Sequence, residues 1–181
     1  MPVLLTDETT QKLRQLAEEA HAQKGWWLFP SEPLVKGFMG LGRFFVVGDQ
    51  PSTDPWPVEH PHRRAYYDLL ADEGVGDAHL TDLYKKRGQA GELKNGLPTD
   101  FQEHLEFFLK EVDILQPTTI LAMGKDAYNL LRQHTPKLYK RCFRVWHFGT
   151  VRRGKLEEFQ TSLRNGIKIA KTREKAGLKP G

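Results

Sequence analysis

The residues best suited to chemistry in this sequence stand where apolar runs stop. Phe44-Phe45-Val46-Val47 ends in Gly48-Asp49-Gln50-Pro51-Ser52-Thr53-Asp54-Pro55-Trp56. Four β-favouring residues followed by Gly and Pro read as a buried strand running into a tight turn. Proline fixes its own φ and restricts the residue before it, so the turn is stiff. A stiff turn holds a carboxylate at a fixed angle, and Asp49 beside Gln50 can orient a water. His147 closes another strand-like run, and a neutral imidazole there can donate a hydrogen bond. Asp82 lies in a third, Ala78-His79-Leu80-Thr81-Asp82-Leu83-Tyr84. Lys85, Lys86 and Arg87 follow it, Lys125 follows Met123-Gly124, and Arg152 and Arg153 follow His147. Cations at such ends suit phosphate groups. Each residue has a plainer reading too. Asp49 and Asp82 could bond loop amides, His147 could be a satisfied half-buried ring, and charge runs are mostly solvated faces. His60 and His62 stand two apart with no further ligand set, so no metal is expected.

The elements that must position these residues alternate. Helical patterns cover residues 6–23, 63–73, 100–115, 125–135 and 155–170. Strand patterns cover residues 43–47, 78–84, 118–123 and 141–146. Bulky aromatics at 26–29 read as core cover. A basic, glycine-rich loop spans 85–98, Pro136 interrupts the fourth helix, and the basic tail 171–181 reads as frayed. Strict alternation with short connections predicts an α/β fold, a three-layer sandwich around a central four-stranded parallel sheet. In open sheets of this kind, ligands bind at the carboxyl ends of the strands. No linker divides the chain, so residues 1–181 are expected to form one domain.

Bulk composition bounds the function without choosing it. At 181 residues, 39% hydrophobic and 28% charged, the sequence suits one globular domain. Its formal charge of +4 is compatible with a polyanionic partner. The single Cys142 excludes an internal disulfide and cysteine-rich zinc or iron–sulfur sites. No apolar run approaches the roughly 20 residues of a membrane span. The amino terminus lacks the basic start and apolar core of a signal peptide. A cytoplasmic monomer without cofactor or membrane contact is the expectation.

Four features fall in one order. They are Gly48-Asp49-Gln50-Pro51, then Leu80-Thr81-Asp82-Leu83-Tyr84-Lys85, then Pro117-Thr118-Thr119-Ile120-Leu121-Ala122-Met123-Gly124-Lys125-Asp126-Ala127, then His147. In this order the sequence resembles the uracil-DNA glycosylase superfamily from about Phe44 to about Arg164. The first feature resembles the family's Gly-x-x-Pro water-activating loop. The third resembles its Pro-x-x-Ile-x-x-x-Gly-x-x-Ala strand and helix. The nearest likeness is to the branch with a Gly-Glu-Ala-Pro turn, where Asp49 takes the acidic position. Counting without gaps puts His62 where that branch stacks a phenylalanine on the flipped base, with Trp56 as the competing ring. The sequence departs from the branch in three places. It lacks the four cluster cysteines, reads Thr81-Asp82 where Thr-Asn is usual, and reads His147-Phe148-Gly149 for His-Pro-Ser.

The resemblance implies hydrolysis of the N-glycosidic bond of a damaged or deaminated base flipped out of DNA. Such cleavage builds positive charge on the sugar and negative charge on the leaving base. Asp49 would serve the first, with Gln50 placing the water, and His147 the second. Gly48, Pro51, His62 and Asp82 would surround the base. Lys85, Lys86, Arg87, Lys125, Arg152 and Arg153 would hold phosphates, with Phe148 or Val151 as a wedge. An ionised Asp82 offers only acceptors and would favour a base presenting donors, such as cytosine's amino group. Two alternatives stay open: a nucleic-acid- or nucleotide-binding relative without catalysis, and a hydrolase of free nucleosides or nucleotides.

Overall fold

The computed structural model describes residues 3–177, and its centre is a sheet whose two faces carry different cores. β1 (Phe44–Gly48), β2 (His79–Asp82), β3 (Thr119–Met123) and β4 (Cys142–Val145) form one sheet of order β2-β1-β3-β4. Every pairing is parallel, with Gly48 beside Asp82 and Val47 beside both Thr81 and Ala122. Successive strand residues point to opposite faces. Phe45, Val47, Ile120 and Ala122 therefore pack with α1 (Val3–Glu18), α3 (Phe101–Leu115) and α4 (Gly124–His134). Phe44, Val46, Leu121 and Met123 pack with α2 (Pro61–Asp72) and α6 (Leu156–Lys175). Central strands buried on both sides explain the uninterrupted apolar runs. Helices on both faces of one parallel sheet make the three-layer arrangement that alternation implied.

Several boundaries move. The first helix begins at Val3, upstream of Thr6, and a π-helical turn, Glu19–Gln23, follows it. α6 runs on to Lys175, so the start of the basic tail is helical, and residues 178–181 lie outside the described residues. Pro136 opens a short helix, α5 (Pro136–Tyr139), since proline suits a first helical position. β2 ends at Asp82, yet the next N–H groups stay attached to β1. Leu83 donates to the Gly48 carbonyl at 3.0 Å and Tyr84 to the Asp49 carbonyl at 2.9 Å.

Beyond that point Lys85 turns inward, against the expectation that it meets phosphate. Its ammonium is fully buried, 2.8 Å from Glu111 Oε1 on α3. It donates to Thr81 Oγ1 at 2.7 Å and to the carbonyl of Asp82. His79 Nε2 lies 3.2 Å from the other Glu111 oxygen. Burial pushes the Glu111 carboxyl toward its neutral form, but the Lys85 ammonium and His79 outweigh it and hold the group below its ordinary range. The chain bends at Leu83 and Tyr84, and Thr81, Lys85 and Tyr84 all turn toward α3. Breaking a buried ion pair strands the remaining charge. Lys85→Met should therefore cost about 3–5 kcal/mol in urea unfolding. The pair Lys85→Met and Glu111→Leu should recover most of that, and purely additive losses would contradict the coupling.

Candidate functional site

The order β2-β1-β3-β4 places a switch point between β1 and β3. The connection from β1 leaves toward β2 through α2, and the one entering β3 comes from α3 on the opposite face. Crevices at such points are where open sheets bind ligands. A cavity of about 180 Å³ lies there. Asp49 and Gln50 line it after β1, Gly124, Lys125 and Asp126 after β3, and His147 and Phe148 after β4. The turn that carries Asp49 and the loop that carries His147 thus line one cavity.

Two glycines make the site possible. Gly124 has φ +90°, and a Cβ there would sit 3.3 Å from the His147 Cβ. Only glycine adopts that backbone freely and lets His147 approach. At Gly48 a Cβ would fall 2.1 Å from Asp82 Oδ1. The bare strand end is what lets the Asp82 carboxyl fold over it.

His147 caps the short 3₁₀ turn Phe148–Arg153, its Nδ1 accepting the Gly149 N–H at 2.9 Å. An acceptor Nδ1 needs its lone pair, so in the neutral ring the proton sits on Nε2. Burial, with His62 adding repulsion, pushes the His147 pKa down to about 4, against a small pull from Asp126. At neutral pH His147 is thus a fixed N–H donor, suited to a developing anion and unsuited to carrying positive charge. Asp49 is 9% exposed. Burial raises its pKa, while its own N–H and that of Gln50 pull it down. Gln50 is anchored by an Nε2 bond to the Gln89 carbonyl at 2.8 Å.

Asp82 does not open on this cavity. It lies 4% exposed in an adjoining small space that it shares with Gln50, Pro51, Trp56, Arg87 and Phe148. Burial drives its pKa well above the carboxylate range, and the Asp49 charge drives it further, outweighing Lys85. Burial and the neighbouring Asp49 thus favour the protonated form of Asp82 over the ionised acceptor expected from the sequence. Two neighbouring carboxyls resist carrying two charges. Burial raises both pKa values, and backbone N–H groups favour the charged form of Asp49 alone.

The remaining expected residues divide. His62, at the start of α2, is buried and borders a shallow groove of about 390 Å³ with His60, His147 and Arg152. It borders neither the Asp49 cavity nor the Asp82 space, whereas Trp56 lines the latter with Trp27, Phe29 and Phe148. Phe148 stacks on Tyr66 with ring centroids 5.6 Å apart, and Val151 packs on the same core, so neither stands out as a free wedge. Lys86 pairs with Asp100 at 2.5 Å and Arg152 with Asp54 at 3.2 Å. Arg87 donates to the carbonyls of Ser52 and Asp54 and so ties the Asp49 loop to the segment after β2. Lys125 and Arg153 are exposed and carry no ion pair among the described residues.

Sequence reading missed Ser52, Ala90, Gly91 and Asp126, which also line the main cavity. Asp126 had a signal, an acid in the first turn of the helix after β3. Ala90 and Gly91 had none, because a parallel bridge from Ser52 to Gly88 brings their loop in. No protein-family model matches the chain, and no curated protein sequence matches it. The site's chemistry therefore rests on its own geometry.

One consequence concerns acid. Burial is the main reason His62, His104 and His147 all have pKa values near 4. The unfolded chain binds protons on these rings below about pH 6.5 while the folded chain does not. Asp82 and Asp49 act in the opposite sense over the same range, but they are two groups against three. Thermal melting should therefore rise as pH increases from 4.5 to 6.5. A flat or falling profile would contradict the neutral buried histidines.

Proposed function

We propose that the chain is a divergent DNA glycosylase with a uracil-DNA glycosylase-like fold. It hydrolyses the N-glycosidic bond of a flipped, deaminated or otherwise damaged base. One observation carries the reading. An ionisable Asp49 and a fixed N–H donor at His147 border one cavity at the sheet's switch point. Glycosidic cleavage makes the sugar cationic and the departing base anionic, and those are the charges this pair stabilises. Asp49 would lie against the sugar and orient the attacking water with Gln50. His147 would donate to an oxygen of the leaving base. Lys125 and Arg153 would hold flanking phosphates.

A nucleic-acid-binding relative without catalysis is the second reading. Thr81-Asp82 in place of Thr-Asn and His147-Phe148-Gly149 in place of His-Pro-Ser favour it.

Strand cleavage at abasic sites, assayed on duplexes carrying uracil, hypoxanthine, xanthine or only normal bases, separates the two. The first reading expects cleavage of at least one lesion duplex. Asp49→Asn should slow single-turnover excision by about a hundredfold or more with little change in duplex affinity. The rate should rise with pH as Asp49 ionises and show no histidine inflection between pH 5.5 and 7.5, since His147 is already neutral. Binding without excision of any lesion would select the second reading.

A further inference from the structure

The Asp49 cavity has a second acid in its wall that the proposed reaction leaves unused. Asp126, in the first turn of α4, lines this cavity and also a separate groove of about 380 Å³. An acid there suits the start of a helix, which favours negative charge. It does not suit Asp49, because two carboxylates at one cavity oppose each other's charge. Lys94 answers it. Its ammonium lies 2.9 Å from Asp126 Oδ2. Lys94 closes the short 3₁₀ turn Glu92–Lys94, its N–H donating to the Gly91 carbonyl at 3.2 Å. Gly91 has φ +79°, and a Cβ there would meet the Lys94 ammonium at 3.7 Å. Gly91 also lines the Asp49 cavity, so the ammonium stands against the wall of that cavity.

The fold does not need this pair for its strength. The Lys94 side chain is 59% exposed and that of Asp126 23%, and exposed pairs contribute little to stability. The turn has another anchor in Leu93, which is buried in the core. What the pair does reach is the charge on Asp49. Burial is the largest influence on the Asp49 carboxyl and raises its pKa, and its own N–H and that of Gln50 lower it. Asp126 then raises it and Lys94 lowers it. The other ionisable groups around Asp49 are Asp82 at the end of β2, and His147 and Lys125 at the cavity. His147 is neutral, with its pKa pushed down to about 4 mainly by burial. Lys125 is exposed, so water screens its charge.

We propose that Lys94 is a positioning residue for the charge on Asp49: it holds Asp126 in an ion pair and so keeps a second bare carboxylate from opposing Asp49 across the cavity. This deepens the glycosylase reading, because a cationic sugar needs Asp49 ionised. The pair acts on Asp49 whatever the reaction is. Removing Lys94 takes away a cation and leaves Asp126 to repel Asp49, so Asp49 keeps its proton to higher pH. Removing the Asp126 charge has the opposite sign. A loop merely loosened by either change would move Asp49 in one direction both times.

The test follows the Asp49 carboxyl carbon by NMR in the full chain labelled on aspartate, with Asp49→Asn giving the assignment. At low salt Lys94→Met should raise the Asp49 titration midpoint by about half a pH unit or more, and Asp126→Asn should lower it by about as much. Lys94→Arg keeps the charge and should stay within about 0.2 unit of wild type. The double variant Lys94→Met with Asp126→Asn should fall between the two singles. Salt at about 0.5 M should shrink the Lys94→Met shift, because the ammonium is exposed. Lys94→Met should unfold in urea nearly where wild type does. An unmoved Asp49 midpoint in Lys94→Met, both single variants moving it the same way, or failure of Lys94→Met to fold would each overturn the proposal. The acid limb of the excision rate should follow the NMR midpoint. A shifted Asp49 without excision of any lesion by wild type would overturn the glycosylase reading and leave this inference standing. Excision with an unmoved Asp49 midpoint would do the reverse.

Discussion

The buried pair of Lys85 and Glu111 determines where the chain goes after β2, and the site depends on that path. Lys85 anchors itself to Thr81, to the Asp82 carbonyl and to α3, so the backbone at the end of β2 is fixed from below. With that end fixed, the Asp82 carboxyl lies over Gly48 on the opposite face of the strand. The continuing chain delivers Arg87 to the Ser52 and Asp54 carbonyls and Gly88 to its bridge with Ser52. Those contacts shape the outer wall of the Asp49 cavity. A buried ion pair contributes little to net stability beside a well-packed apolar substitute. Its value here is positional, since it commits one edge strand and one helix to a single register.

The electrostatics above that anchor follow from crowding acids where water is scarce. Asp49 and Asp82 stand at the ends of adjacent strands, and both are nearly buried. Two such carboxyls share one charge more easily than they carry two. Asp49 has backbone N–H groups to stabilise its charge. Asp82 has no partner at Oδ2, and burial favours its protonated form. The neutral His147 completes the division of roles. One side of the cavity can carry negative charge, the other presents an N–H, and the small adjoining space has an acid whose protonated form burial favours.

Much of this was legible in the sequence. Apolar runs ending in Gly-Asp-Gln-Pro, Gly-Lys and His-Phe-Gly marked three strand ends, and alternation of elements gave the layers. Asp49 and His147 were visible because strand ends in such sheets converge. Lys85 was misread because Lys85-Lys86-Arg87 looks like a solvated run, and the bend at Leu83 and Tyr84 that turns it toward Glu111 leaves no mark in the sequence. Gapless counting chose His62, which lines the groove beside His147 and not the small space beside Asp82. The loop from Ser52 to His60 is long enough that Trp56, four residues before the cap of α2, reaches the small space beside Asp82. The protonation of Asp82 could not be read at all, because it depends on a burial that only the packed Trp56, Phe148 and Gly48 create.

Binding to a charged mimic of the reacting sugar tests the central assignment most directly. A duplex carrying a cationic pyrrolidine at an abasic position resembles the sugar as the base departs, and a neutral tetrahydrofuran at the same position does not. Catalytic sites bind such charge mimics more tightly than neutral ones. If Asp49 stabilises a cationic sugar, wild type should prefer the pyrrolidine duplex by about tenfold or more at neutral pH, and Asp49→Asn should abolish the preference while still binding the tetrahydrofuran duplex. Equal affinity of wild type for the two duplexes, or a preference that survives Asp49→Asn, would contradict it.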